Sequence, residues 1–510
     1  MEAEMQSIEE NKTWSLVDLP PGHKPIGLKW VFKVKRDEHG AVVKHKTRLV
    51  AKGYVQRPGI DFTEVFAPVA RLESVHVLLA VAAHEGWEVH HMDVKSTFLN
   101  GELQEEVYVA QPAGFVVEGA EHKVLKLKKA LYGLRQAPKA WNAKLDNTLL
   151  ALGFQKSEAE HGVYIRGSGE ARLIVGVYVD DLIITGRSGI NKFKAEMKKM
   201  FSMSDLGLLS YYLGLEVQQT EVGIRIGQAA YAAKLVERSG LSDCNVCAVP
   251  MESRLKLSKE SESPLVDAME YRSLVGGLRY LMNTRPDITY AVNYVSRFLE
   301  KPKEDHRAAV KHLLRYVAGT LDLGVFYRRG RSDGHQLIGY SDSDYAGDID
   351  DRKSTSGMLY CLGSSPITWN SGKQKVVALS SCEAEYIAAA YGACQGVSLA
   401  QLLKDLVGGK PGAPILRVDN KSAIDLAKNP VHHERSKHIE TKYHYIRKSV
   451  EDGKISLEQI PTGDQLADIM TKSLARVKFQ ELRDRIGIVN IRLRRRMLVL
   501  ILMLVCVSGQ

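Results

Sequence analysis

The sequence predicts a multidomain protein of the α+β class, and three observations predict it. The chain has 510 residues, which at about 100–200 residues per domain argues for roughly three domains. In the first 240 residues, strand-like apolar runs meet at acidic residues, with basic hairpin and helical patterns around them. After Gly334 strand and helix patterns alternate again, which marks a second α/β domain.

The elements follow in order. In KWVFKVKRDEHGAVVKHKTRLVAKGY, Trp30 to Lys35 is strand-like, Asp37 to Gly40 is a turn and Val42 to Val50 is the return strand. Leu125 to Leu152 reads as helical, interrupted near Gly133 and Pro138. RLIVGVYVDDLIIT, Arg172 to Thr185, has two apolar stretches around an acidic pair, the pattern of a buried hairpin with its charged tip in a cleft. SDCNVCAVP and SKESESP read as linker, and helices are expected over Ala268–Met282, Ile288–Leu299 and Arg307–Ala318. A helix near Glu383–Leu406, the strand ILRVD and more helix complete the chain, with no internal repeat.

Composition narrows the class. A hydrophobic fraction of 45% and a charged fraction of 25% exclude a disordered tail, a collagen-like repeat and a multi-span membrane protein. The net charge of +10 is modest, but its distribution is uneven. His23 to Arg57 holds ten Lys or Arg against Asp37 and Glu38, and His122 to Leu145 holds seven and no acid. Trp30, Phe32, Tyr132 and Trp141 lie in these stretches, a combination that suits a nucleic-acid groove. The six cysteines are sparse, which fits a reducing compartment, and the acidic N-terminus has no apolar h-region. Met497 to Val507 is apolar and follows Arg492, Arg494, Arg495 and Arg496. Eleven residues of helix reach only about 16 Å, against roughly 30 Å of bilayer hydrocarbon, so no membrane span is expected there.

The first acidic constellation is Asp93 in EVHHMDVKSTFLNG with Asp180 and Asp181 in VYVDDLIITG. Buried carboxylates are costly unless paired or metal-bound. Three that converge can hold two divalent cations about 3.5–4 Å apart, which activate an attacking oxygen and neutralise a leaving phosphate. Hard oxygen ligands favour Mg²⁺. An Asp-Asp pair alone is also what a plain hairpin turn shows; Tyr178-Val179-Asp180-Asp181 between two apolar strands says more.

These motifs resemble the palm of a reverse transcriptase, and their wording is similar to the copia-type retrotransposon polyprotein family. NKTWSLVDLPPGHKPIGLKWVFKVKRDEHG, KTRLVAKGY, DVKSTFLNGEL, EEVYVAQPAGF, LKKALYGLRQAPKAWN and VYVDDLIITG carry the resemblance in order, and it covers about residues 1–490. It implies a fingers/palm reverse-transcriptase fold over 1–241, a helical thumb/connection region over 242–335, a C-terminal α/β ribonuclease H-like domain over 336–490 and an atypical tail over 491–510. Asp93, Asp180 and Asp181 are then the catalytic metal ligands. Phe98 is a steric gate against a 2′-hydroxyl, with a plain core aromatic as its alternative. Arg48 grips the incoming triphosphate with help from Lys35 or Arg36, Gln136 lies near the nucleotide 3′-hydroxyl, and Tyr178 joins the substrate-binding set. Asp205 to Val217 resembles a primer-contacting turn.

Four further acids sit in contexts similar to the family's ribonuclease H: Asp342 in LIGYSDSDYAGD, Glu385 in ALSSCEAEYIAAA, Asp419 in ILRVDNKSAI and Asp468 in TGDQLADIMTK. The resemblance makes them ligands of a second pair of Mg²⁺ ions, with Mn²⁺ as a substitute, that cut RNA in an RNA–DNA hybrid. Asp342 is read ahead of Asp344, and Glu385 ahead of Glu383; the neighbours stay open. His432, His433, His438 and His444 lack zinc spacing and read as packing or phosphate contacts. Cys244 and Cys247 form a lone CxxC, read as linker. Departures from the family are mild: Thr97, Glu160, Gly162, Ser343 and Tyr345.

The implied function is RNA-directed DNA synthesis with hydrolysis of the copied RNA. The partners are an RNA template, a DNA primer, an RNA–DNA hybrid and dNTPs, with no stable membrane partner. The implied location is cytoplasmic, in a virus-like particle, or nuclear, and not secreted. The rival is a catalytically inactive nucleic-acid-binding remnant. The lack of capsid-like, protease and integrase segments carries the expectation of a fragment of an element.

Overall fold

The computed structural model describes residues 1–36, 42–330, 335–409, 411–428 and 441–491. The Lys35 and Arg36 side chains, the turn at 37–40, His432, His433, His438 and the tail from 492 lie outside the described residues. Two compact units form: residues 1–71 with 89–208, and residues 72–88 with the described chain from 209 onward.

In the first unit the basic hairpin pairs Leu28–Arg36 antiparallel with Val42–Ala51, Leu28 opposite Ala51. Leu49 and Ala51 are buried while Phe32 is exposed, so only the base of the ribbon is packed. Residues 124–129 depart from the helix expected there. Val124–Lys129 is a strand between Trp14–Val17 and Glu102–Val109. Its period is two, with Leu125 and Leu127 buried and Lys128 exposed. The helix starts later, Ala137–Ala151, with Pro138 in the first turn where its missing N–H is not needed.

The centre of this unit is a six-stranded sheet in the order Met203–Leu208, Val89–Val94, Asp181–Gly186, Leu173–Tyr178, Val163–Arg166, Gln155–Lys156. Strand alternation gives it two chemically different faces. Met92, Val94, Val175, Val177, Leu182 and Ile184 pack with Trp141, Leu145, Phe193 and Met197 from helices Ala137–Ala151 and Ile190–Met200. His91, Asp93 and Asp181, one residue out of step with Met92 and Leu182, belong to the other face.

The second unit contains helix Leu72–Glu85, whose residues from Ser74 to His84 are all buried, as befits an apolar run without a polar face. A five-stranded sheet runs Tyr211–Tyr212, Leu215–Thr220, Gly223–Gly227, Leu323–Arg328, Ile488–Asn490. It draws strands from segments more than 100 residues apart. Helices Ala229–Arg238, Ala268–Leu281, Thr289–Val295 and Glu304–Ala318 share one core with the last strand and with Phe479 and Leu482. Arg285 is fully buried there, and the charge is tolerated because Asp287 accepts from it at 2.9 and 2.7 Å while Tyr316 donates to Asp287 at 2.7 Å.

A second five-stranded sheet is ordered Ser365–Lys373, Thr355–Leu362, Leu337–Ser343, Ile415–Val418, Ser456–Gln459. The first three strands are antiparallel, and Leu337–Ser343, Ile415–Val418 and Ser456–Gln459 are parallel. Helix Ser381–Val407 crosses this sheet, with Gly392 against Leu416 and Gly396 against Tyr360. Among the described residues no helix is long and apolar enough to cross a membrane.

Candidate active sites

The first acidic site is built by strand register. Asp93 lies directly opposite Asp181 in the antiparallel pair of Val89–Val94 with Asp181–Gly186. Tyr178 pairs with Asp181, so Val179 and Asp180 are the two turn residues of the hairpin. Val179 has φ +57°, a conformation that costs a β-branched residue of order 1–3 kcal/mol. The turn is held from two sides: the Trp141 indole N–H donates to the Val179 carbonyl at 2.7 Å, and the Val94 N–H to the Asp180 carbonyl at 3.0 Å. Sequence neighbours Asp180 and Asp181 are thereby presented beside Asp93.

Burial raises the Asp180 carboxyl above its ordinary range, Asp181 and Asp93 raise it further, and Arg48 opposes them. Mutual repulsion among hard oxygen donors is what a divalent cation relieves, but among the described residues the carboxylate atoms gathered within 4.8 Å of one another are those of Asp342, Glu385 and Asp419, not these three. Arg48 lies 4.2 Å over the Tyr132 ring, and Phe98 meets the same ring edge-on at 5.0 Å. Arg48, Phe98 and Tyr132 are thus brought together, and the charges of Asp93 and Asp180 reach the Tyr132 hydroxyl. Tyr178 is half-buried opposite Asp181. Gln136 is buried; its amide donates to the Asp61 carbonyl at 3.0 Å and accepts from Gln56 at 3.0 Å.

Two contacts here were not anticipated. His91 Nε2 lies 2.8 Å from Asp181 Oδ1. Its place two residues before Asp93 puts it on the same face of the strand, a signal the alternation already carried. Tyr132 was legible only as an aromatic in a basic stretch; its place between Arg48 and Phe98 was not, because both are distant in sequence.

The second site assembles four separated acids. Asp342 and Asp419 sit at or just past the carboxyl ends of adjacent parallel strands, Leu337–Ser343 and Ile415–Val418, where α/β sheets place their ligand sites. Glu385 comes from helix Ser381–Val407 and Asp468 from the short turn Leu466–Met470. One carboxylate oxygen each of Asp342, Glu385 and Asp419 lies within 4.8 Å of the others. Glu385 Oε1 accepts from the Ser343 N–H at 3.2 Å, while Oε2 is buried with no hydrogen-bond partner among the described residues. An orphaned carboxylate oxygen facing two more acids fits a cation.

The electrostatics agree. Burial, then Asp342 and Asp419, push Glu385 up to about 9. Burial, then Asp342, raise Asp419, and the same causes push Asp468 up to about 6. Lys472 bridges Asp468 at 2.8 Å and Asp342 at 3.7 Å, and Thr471 Oγ1 donates to Asp342. Lys472 and Thr471 were missed because only the turn at 466–470 aims them at a strand 129 residues away.

Glu383 and Asp344 lie in other surroundings. Glu383 accepts from the Leu379 N–H at 2.8 Å and donates its own N–H to Ser380, a capping arrangement visible in Ser380-x-x-Glu383. Asp344 accepts from the Thr355 N–H and is raised by burial. His444 Nδ1 lies 3.0 Å from the Tyr386 hydroxyl.

Comparison with known proteins follows from these motifs. Residues 11–253 match the family described as reverse transcriptase (RNA-dependent DNA polymerase). The chain is 40% identical to the Pol polyprotein from transposon RE1 of Arabidopsis thaliana over 96% of its own length and 34% of that relative. It is 41% identical to the Pol polyprotein from transposon TNT 1-94 of Nicotiana tabacum, over 96% of itself and 37% of the relative. A transposon Ty5-1 protein of Saccharomyces cerevisiae is 37% identical over 58% of this chain and 98% of its own length. The chain therefore spans about a third of the length of the two plant polyproteins.

Proposed function

Because this chain belongs to the copia-type retrotransposon Pol polyproteins and carries their reverse transcriptase domain, we propose that it is a working RNA-directed DNA polymerase with a ribonuclease H domain. The observation that carries the reading is Asp93 opposite Asp181 beside the clamped turn at Val179-Asp180. Asp93, Asp180 and Asp181 would hold two Mg²⁺ ions, which supply charge neutralisation at the reacting phosphate. Arg48, stacked on Tyr132, would pair with the triphosphate of a dNTP, and Phe98 against the same ring would supply the apolar wall that disfavours a 2′-hydroxyl. The primer 3′-hydroxyl attacks the α-phosphate in line, its proton leaves to solvent, and pyrophosphate departs.

In the same reading the first unit is fingers and palm, the helices from Ala229 to Ala318 belong to a thumb and connection region, and the mixed sheet from Leu337 with helix Ser381–Val407 is the ribonuclease H-like fold. Asp342, Glu385, Asp419 and Asp468 would hold the second pair of ions, and water attacks the RNA phosphate of an RNA–DNA hybrid with loss of the 3′-oxygen. Lys35 and Gln136 complete the proposed nucleotide contacts, Gln136 acting through Gln56 and Asp61. The proposed location is the cytoplasmic virus-like particle or the nucleus.

Primer extension tests the reading. Purified chain is given an RNA template, a DNA primer, dNTPs and Mg²⁺, alongside Asp181→Asn. Extension that the Asn variant loses by at least about 10³-fold is expected, since losing even one preorganised charge partner costs about 10²–10³. No extension with hybrid binding retained would sink the enzyme reading and leave an inactive nucleic-acid-binding remnant.

A further inference from the structure

Two buried glutamines border the second acidic site. Gln374 follows strand Ser365–Lys373, and Gln465 precedes the turn Leu466–Met470. Gln374 Nε2 donates to the Ala384 carbonyl at 2.9 Å and lies 3.2 Å from Ser343 Oγ and 2.9 Å from Ser356 Oγ. A carbonyl oxygen only accepts, which fixes the orientation of this amide. Gln465 Nε2 donates to the Ser341 carbonyl at 2.8 Å, and its Oε1 accepts from the Ala467 N–H at 3.2 Å.

The partners share one feature. Ser341 and Ser343 flank Asp342 on its strand, Ala384 directly precedes Glu385, and Ala467 directly precedes Asp468. Gln374 therefore joins strand Leu337–Ser343 to helix Ser381–Val407 beside Asp342 and Glu385. Gln465 joins the same strand to the turn Leu466–Met470 beside Asp342 and Asp468. Carboxylates crowded this closely repel one another, and that repulsion acts to spread the elements that carry them. An amide resists the spreading without adding charge, so it does not compete with an ion for the carboxylate oxygens. Gln374 Oε1 is buried with no hydrogen-bond partner among the described residues. An orphaned acceptor is a cost that packing alone does not require, since an apolar side chain of similar length avoids it.

We propose that Gln374 and Gln465 are positioning residues, which hold strand, helix and turn so that Asp342, Glu385 and Asp468 are spaced in advance for divalent ions. The inference rests on the reading of these acids as metal ligands. Groups that orient ligands in this way typically set metal affinity by about 10–100-fold.

The test uses Mn²⁺ alone as the probe, because the paramagnetic resonance signal of the free ion is lost on binding. Titration of the full chain gives the bound ions and their affinities, and Glu385→Gln marks the class that belongs to this site. Gln374→Met and Gln465→Met should each weaken that class about 10–100-fold. The Mg²⁺ concentration that supports half-maximal hybrid hydrolysis should rise by a similar factor. A merely structural role would lower the thermal midpoint and leave the ion affinity where it was. Gln374→Asn and Gln465→Asn keep a buried amide one methylene short; they replace a methionine substitution that does not fold, and the same direction of change is expected. An ion class that Glu385→Gln removes, and that neither glutamine substitution weakens, overturns the inference and leaves the metal reading standing. A wild-type chain without such a class removes the metal reading and the inference with it.

Discussion

Replacing Glu385 by glutamine should make the metal-free protein more stable at neutral pH. The carboxyl titrates at 4.5 when unperturbed and is pushed up to about 9 by burial and by Asp342 and Asp419. Between those two values the folded chain binds more protons than the unfolded chain, so stability falls as pH rises through the window. The slope for one proton is about 1.4 kcal/mol per pH unit. At pH 7.5, about three units above the unperturbed value, the loss is at most about 4 kcal/mol. Three coupled carboxylates share the proton, so that figure is a ceiling. Glu385→Gln keeps the shape and the bond from Ser343 but removes the titration. It should recover about 2–4 kcal/mol at pH 7.5, or about 4–8 °C in the midpoint at roughly 2 °C per kcal/mol for a large unit. At pH 5 the gain should shrink to about 1 kcal/mol or less. The assay is thermal unfolding at both pH values, in EDTA and in Mg²⁺. Mg²⁺ should raise the wild-type midpoint by more than the variant's, while hybrid hydrolysis is lost. A variant less stable than wild type in EDTA at pH 7.5, or a gain equal at both pH values, would refute the argument.

Three other outcomes are expected. Lys472→Met removes the cation between Asp342 and Asp468; its midpoint in EDTA should fall below wild type, and Mg²⁺ should narrow the gap, so a gap that Mg²⁺ leaves unchanged counts against Lys472 balancing those acids. Trp141→Phe removes the bond to the Val179 carbonyl; it should cost about 1–3 kcal/mol and slow primer extension while sparing hybrid hydrolysis, and equal losses in both assays would show a general folding defect instead. Phe98→Val should lower the preference for dNTPs over ribonucleotides by about 10–200-fold in competing extension assays, and an unchanged preference would return Phe98 to a packing role beside Tyr132.

Both acidic sites were legible in part for different reasons. Asp93, Asp180 and Asp181 stood out because each interrupts an apolar strand, a local pattern that needs no tertiary information. Asp342, Glu385, Asp419 and Asp468 give no such pattern, and resemblance alone singled them out. The strand at Val124–Lys129 was misread as helix. Its Leu125/Leu127 alternation is short, and the helix that follows in Ala137–Ala151 masks it. Gln136 could be named from its motif, but nothing local indicates that Gln56 and Asp61 would take its amide.

The sequence by itself determined the chemistry on offer: two sets of acids, a basic hairpin with aromatics, and strands whose period of two decides which residues share a face. Periodicity and turn chemistry act over a few residues, so they survive in one dimension. Tertiary structure alone decided which groups meet. It set Arg48 on Tyr132, turned His91 to Asp181, bridged Asp342 and Asp468 with Lys472, and brought Gln465 to Ser341. It also joined Gly223–Gly227, Leu323–Arg328 and Ile488–Asn490 in one sheet. The physical reason is common to all of these. A hydrogen bond or an ion pair depends on separations of a few ångströms, and chain closure over tens to hundreds of residues is directed by burial of the whole core rather than by any local signal.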